Sequence, residues 1–153
     1  MEVDADAPPR ARGRFADAQR WLFGRAGRVL VVYWLAMFIG THVSFKDPST
    51  VFQIRDKVVH FAAFAGLAFL TAMYQYSRKG SVAWVDLIAI WLLAAAYGVF
   101  DEVTQTAVGR TADPLDWLAD ISGAATGLAA FLVFRARAAA RGLFRAPDNR
   151  PTR

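Results

Sequence analysis

The chain has 153 residues, a formal net charge of +5 and no cysteine, so disulfide staples, thiolate metal sites and cysteine nucleophiles are excluded. Hydrophobic residues make up 56% of it and the mean hydropathy is positive, a balance that fits one small membrane domain better than a soluble core. The positive charge is not the footprint of a nucleic-acid partner, because it is divided among segments that flank apolar ones.

Residues 1–14, rich in Ala, Pro, Arg and Asp, read as a disordered basic tail with almost nothing to bury. Over 15–28, Phe15, Trp21, Leu22 and Phe23 alternate with Arg20, Arg25 and Arg28. That composition suits either a short helix lying at anionic headgroups or a simple basic flank.

Four apolar stretches follow, from Val29 to Phe45, Val58 to Tyr76, Val82 to Phe100 and Trp117 to Phe134. At 1.5 Å per residue, about 17 to 20 residues cross the hydrocarbon of a bilayer. The expectation is therefore an all-α fold, an integral membrane four-helix bundle over 29–134, with a basic tail at 135–153. A soluble bundle would need polar outward faces, which VLVVYWLAMFIG and LIAIWLLAAAYGVF lack. The first stretch has the basic flank and apolar middle of a secretory signal peptide, but its end, GTHVSFKDPST, offers no clear small-x-small cleavage site.

Basic residues sort by side. Arginines at 10, 12, 14, 20, 25 and 28 precede the first stretch, Arg78 and Lys79 join the second and third, and arginines at 135, 137, 141, 145, 150 and 153 follow the fourth. Lys46, Arg55, Lys57 and Arg110 fall on the other side. The positive-inside rule then predicts that both termini are cytoplasmic and that the connectors Lys46 to Lys57 and Asp101 to Asp116 face outward.

Both outward connectors carry the signal of a helix start, Asp47-Pro48 and Asp113-Pro114. His42 reads as an interfacial or packed histidine. On a helix, Asp56 and His60 are four residues apart and Lys57 and His60 three, so all three share a face. YQYSRKG reads as an aromatic belt and a cytoplasmic turn, and Asp86 as a helix-start acid.

The stretch from Gly98 to Gly127 gathers acids, an amide and an arginine between two apolar segments, where charge close to lipid marks a functional-site suspect. Ala94, Gly98, Glu102 and Gln105 form one helical stripe and Asp116, Asp120, Gly123 and Gly127 another, each small at one end and polar at the other. Gly98 and the GxxxG pair Gly123 and Gly127 are the expected helix-packing positions.

Three motifs and an arginine now stand in order: D-K-x-x-H-F at Asp56, Lys57, His60 and Phe61; D-E-x-x-Q at Asp101, Glu102 and Gln105; Arg110; and D-x-x-x-D-x-x-G at Asp116, Asp120 and Gly123. This set resembles the VanZ-like family of small bacterial membrane proteins, over roughly Thr41 to Phe134. The resemblance implies a multi-pass protein of the bacterial cytoplasmic membrane. It also implies a link to the cell envelope, since the founding member is associated with low-level resistance to the glycopeptide teicoplanin. The family usually has Asn where this chain has Asp120, so an acceptor able to carry charge replaces an amide.

The ligand-binding set expected from these residues is Asp56, Lys57, His60, Asp101, Glu102, Gln105, Arg110, Asp116 and Asp120. The favoured reading is a protein that binds or modulates an outer-leaflet lipid or peptidoglycan-related component. An alternative is an enzyme on such a lipid or on a phosphorylated cell-wall intermediate, with Glu102 as general base, His60 as proton shuttle, and Arg110 with Lys57 holding phosphate. A third is a structural protein whose Glu102–Arg110 and Asp56–Lys57 pairs merely satisfy charge. No HExxH, GxSxG or phosphatase-type motif is present. A divalent ion on Glu102, Asp116 and Asp120 has no known ligand spacing behind it, so neither a metal nor another cofactor is assigned.

Overall fold

The computed structural model describes residues 9–42, 50–109 and 111–140. Within them the chain forms four α-helices, α1 (Pro9–His42), α2 (Thr50–Lys79), α3 (Trp84–Gln105) and α4 (Pro114–Ala140), and one 3-10 turn, Thr106–Val108. No strand occurs among the described residues. Residues 1–8, 141–153, the Asp47-Pro48 helix-start signal, Lys46 and Arg110 lie outside them.

Two expected boundaries move. Helix α1 begins at Pro9, so residues 9–14, expected to be disordered, are helical and continuous with everything to His42. Proline is accommodated in a first turn, and the Ala- and Arg-rich sequence behind it favours helix. Helix α4 likewise runs past Phe134 to Ala140, taking the first residues of the expected basic tail with it.

Three helices, over Asp56–Lys79, Trp84–Val108 and Pro114–Ala140, are long and apolar enough to cross a membrane. The first expected span, Val29 to Phe45, is described only as far as His42, and its described part is not among them. Within α1 the apolar run is closed in by Arg25 and Arg28 on one side and by Thr41 and His42 on the other, and Phe45 lies outside the described residues.

Helix α2 packs most extensively on α4, α3 also lies against α4, and α1 leans on α2. The α2–α4 contact is a contact of backbones: a Cβ on Gly123 would collide with the Phe61 carbonyl, and one on Gly127 with that of Ala65. Phe64, Ala68, Ala72, Ala124, Leu128 and Phe131 fill the adjoining core. Two indoles stitch α3 to α4, Trp91 Nε1 donating to the Ile121 carbonyl at 3.0 Å and Trp117 Nε1 to that of Ala95 at 3.0 Å. The outer face of α3, with Trp84, Val85, Ile88, Leu92, Leu93 and Val99, is exposed and apolar, as a lipid-facing surface must be.

The turn between α2 and α3 is built by Gly80, whose φ of 70° ends α2, and by Asp86. Asp86 accepts the Ala83 amide at 2.9 Å and also Gln75 Nε2 at 2.7 Å and Lys79 Nζ at 2.9 Å, so it caps α3 and ties it to α2. Its bonds are those of a helix-start acid.

Gly127→Ala forces α2 and α4 apart and is expected to lower the thermal midpoint of the detergent-solubilised protein, at a cost of about 1–3 kcal/mol. Gly40→Ala in α1, where a Cβ meets nothing within 4 Å, is the matched control and should hold or raise it. Equal midpoints for the two variants would contradict the backbone contact.

Candidate functional site

At the α2 start, the α3 end and the α4 start, polar side chains converge. His60, Asp101, Glu102, Gln105, Asp116 and Asp120 are all buried there, with Thr41 of α1 beside them. Such burial is tolerated only where partners are found, so each bond can be followed in turn.

The deepest pair is His60 and Asp120, both 0% exposed. His60 Nδ1 lies 3.0 Å from Asp120 Oδ1 and donates its N–H to that carboxylate. This bond fixes the ring and turns Nε2 the other way. Gly98 leaves the room: a Cβ there would stand 2.9 Å from Asp120 Oδ2 and 3.1 Å from the Trp117 ring.

Glu102, 6% exposed, accepts the Asp113 backbone amide on Oε2 at 2.8 Å. Asp113 itself caps α4: its Oδ1 accepts the Leu115 amide at 2.9 Å and its carbonyl takes the Asp116 amide at 2.9 Å. Glu102 thereby joins the end of α3 to the start of α4.

Lys57 of α2 reaches across to α4, with Nζ 2.6 Å from Asp113 Oδ2 and 2.8 Å from Asp116 Oδ1. The Lys57 ammonium, helped by the Leu115 amide, holds the Asp113 carboxyl below the usual carboxylate range. Lys57 is thus engaged by two carboxylates, and holding a phosphate would require breaking that clamp. Arg110, its expected companion, lies outside the described residues.

Asp101 points to the other side of α3. Its Oδ1 accepts the Thr41 hydroxyl at 3.1 Å and its Oδ2 accepts Gln105 Nε2 at 2.7 Å, so neutral donors meet both oxygens. His42 packs on the Phe38 ring at 4.0 Å, donates from Nδ1 to the Phe38 carbonyl at 2.8 Å and reaches Thr104 with Nε2 at 3.0 Å. Thr41 is the member of this cluster that sequence reading missed. Its only signal was a hydroxyl next to His42 at the end of an apolar run.

Four buried side-chain atoms among the described residues have no hydrogen-bond partner: His60 Nε2, Glu102 Oε1, Asp120 Oδ2 and the Tyr97 hydroxyl. His60, Glu102 and Asp120 come from three different helices, one ligand atom from each lying within 4.8 Å of the others. A second such group, Asp56, His60 and Asp116, shares His60 with the first. The structure therefore gathers His60, Glu102 and Asp120 at the centre, places Lys57, Asp56 and Asp116 next to them, and sets Asp101 and Gln105 against α1.

The family model described as VanZ/LLP1 matches residues 17–135. No curated protein and no solved structure matches the chain.

Lys57→Met leaves Asp116 buried without its cation and is expected to cost about 1–3 kcal/mol. Because the folded-state pKa of Asp113 is depressed, the Lys57–Asp113 pairing stabilises fully above the ordinary carboxylate pKa of about 4 and is lost as the pH falls through the folded value. Wild-type stability, followed by tryptophan fluorescence, should fall as the pH drops below about 4, and Lys57→Met, less stable at neutral pH, should show a flatter dependence over that range.

Proposed function

Since the chain belongs to the VanZ/LLP1 family, we propose that it is a multi-pass protein of the bacterial cytoplasmic membrane whose polar site binds or modulates a cell-envelope component. The component is an outer-leaflet lipid or a peptidoglycan-related group, in keeping with the association of the family's founding member with teicoplanin resistance. The distribution of arginine and lysine supports the orientation, with both termini cytoplasmic and the site at the outer surface.

The observation that carries this reading is the trio of open atoms on His60, Glu102 and Asp120. A protein that used its acids only for structure would close them all, as it closes Asp101 and Asp113. Unpaired polar atoms on buried side chains support a binding role. Three helices long and apolar enough to cross a membrane support that reading, since a polar cluster at their ends would meet lipid headgroups.

One bond favours an enzyme as a second reading. Asp120 orients His60 through Nδ1 and leaves Nε2 without a partner, the arrangement of a histidine poised to take a proton. Binding and turnover are separated by one assay. Wild type and Glu102→Gln, purified in native membrane discs and incubated with outer-leaflet lipids, are analysed by lipid mass spectrometry. The binder reading expects a lipid retained unchanged by wild type and at least tenfold depleted in the variant. Conversion by wild type alone would replace it with the enzyme reading, and equal lipid profiles in both would sink the site.

A further inference from the structure

We propose that His60 of α2, Glu102 of α3 and Asp120 of α4 form a binding site for a divalent cation of the zinc or manganese class. One ligand atom from each lies within 4.8 Å of the other two, and all three residues are more than nine-tenths buried. An imidazole nitrogen with two carboxylate oxygens is the donor set that such cations take, at about 2.0–2.2 Å for zinc.

The hydrogen bonds point the same way. His60 is oriented by its Nδ1 bond to Asp120, and Glu102 is oriented by the Asp113 amide on Oε2. The amide bond on Oε2 leaves Glu102 Oε1 open, Asp120 keeps Oδ2 open, and an ion shared by His60 and Asp120 takes His60 Nδ1 in place of its proton. Orientation of the ligating group by an outer partner is how proteins preset metal ligands. Asp120 adds a second open oxygen on the far side of the same carboxylate.

Charge supplies the third argument. Among the described ion pairs, no lysine or arginine reaches Glu102 or Asp120, and Lys57 is spent on Asp113 and Asp116. Two carboxylates this close in a water-poor interior are costly unless a proton or a cation is shared between them, and the His60 imidazole is the one partner of Asp120 among the described ion pairs. The neighbouring group of Asp56, His60 and Asp116 is the weaker choice, because Asp116 is already paired with Lys57. A bound dication also reverses the sign of the site, so that it accepts an anionic group such as a phosphate. That consequence rests on the binding function proposed above, whereas the cation site does not.

The test uses the full-length protein in detergent, stripped with a chelator and titrated with Mn2+ under electron paramagnetic resonance. Wild type should bind one ion per chain and show nitrogen modulation from an imidazole in the pulsed spectrum. Glu102→Gln and Asp120→Asn should each weaken binding at least tenfold, and Asp86→Asn, at the other end of the bundle, should leave it unchanged. Absence of the nitrogen signature in wild type, which no folding defect can explain, overturns the site, as does undiminished binding in both variants. Lipid retention by the same stripped and reloaded samples keeps the two proposals apart. Ion binding without lipid retention defeats the ligand reading alone, and lipid retention without ion binding defeats the cation site alone.

Discussion

The fold turns on how closely α2 and α4 approach. Gly123 sits on the Phe61 carbonyl and Gly127 on that of Ala65, so the two helices meet backbone to backbone with no side chain between. In a bilayer, where lipid tails are as apolar as leucine, such contact supplies association that hydrophobic burial does not. It also sets register. Phe61 follows His60 directly, and Gly123 lies one turn beyond Asp120, so locking Phe61 on Gly123 places the imidazole against the carboxylate. Helix α3 joins through Gly98, whose missing side chain leaves space for Asp120. The small residues therefore do more than pack: they determine which polar groups meet.

The polar end is then a problem of charge in a place that tolerates little of it. The chain answers with two devices. Lys57 neutralises Asp113 and Asp116 and ties α2 to the start of α4, while Thr41 and Gln105 satisfy Asp101 with neutral donors. Beyond those devices His60 Nε2, Glu102 Oε1 and Asp120 Oδ2 stay unpaired, as does the Tyr97 hydroxyl. Buried polar atoms left unpaired beside carboxylates that are fully bonded separate a site from a set of structural ion pairs.

Much of this was legible in the sequence. The helical class, the turn at Gly80 and the polar stretch between Gly98 and Gly127 follow from hydropathy and from period-3.6 stripes. Other features were not legible, for physical reasons. Helix α1 reaches back to Pro9 because helix propensity is local and needs no apolar face to propagate, whereas the tail was read from its lack of burial. Which carboxylate Lys57 would take, and that Glu102 would accept a backbone amide, depend on the α3–α4 connector, whose path no periodicity encodes. Thr41 carries no charge and so left no signal. Asp120, the departure from the family's usual Asn, proves to be the residue in contact with His60, which gives that substitution a chemical meaning that the sequence alone withheld.

The chain has two histidines, so selective 15N-histidine labelling reads His60 with one neighbour to resolve. The central claim is that His60 Nδ1 carries a proton and donates it to Asp120. Nitrogen shifts and one-bond N–H couplings in micelles should report a protonated Nδ1 for one histidine, with a perturbation on Asp120→Asn confined to that ring and absent from His42. A bare Nδ1 on His60, or a His60 spectrum indifferent to Asp120→Asn, would contradict the account.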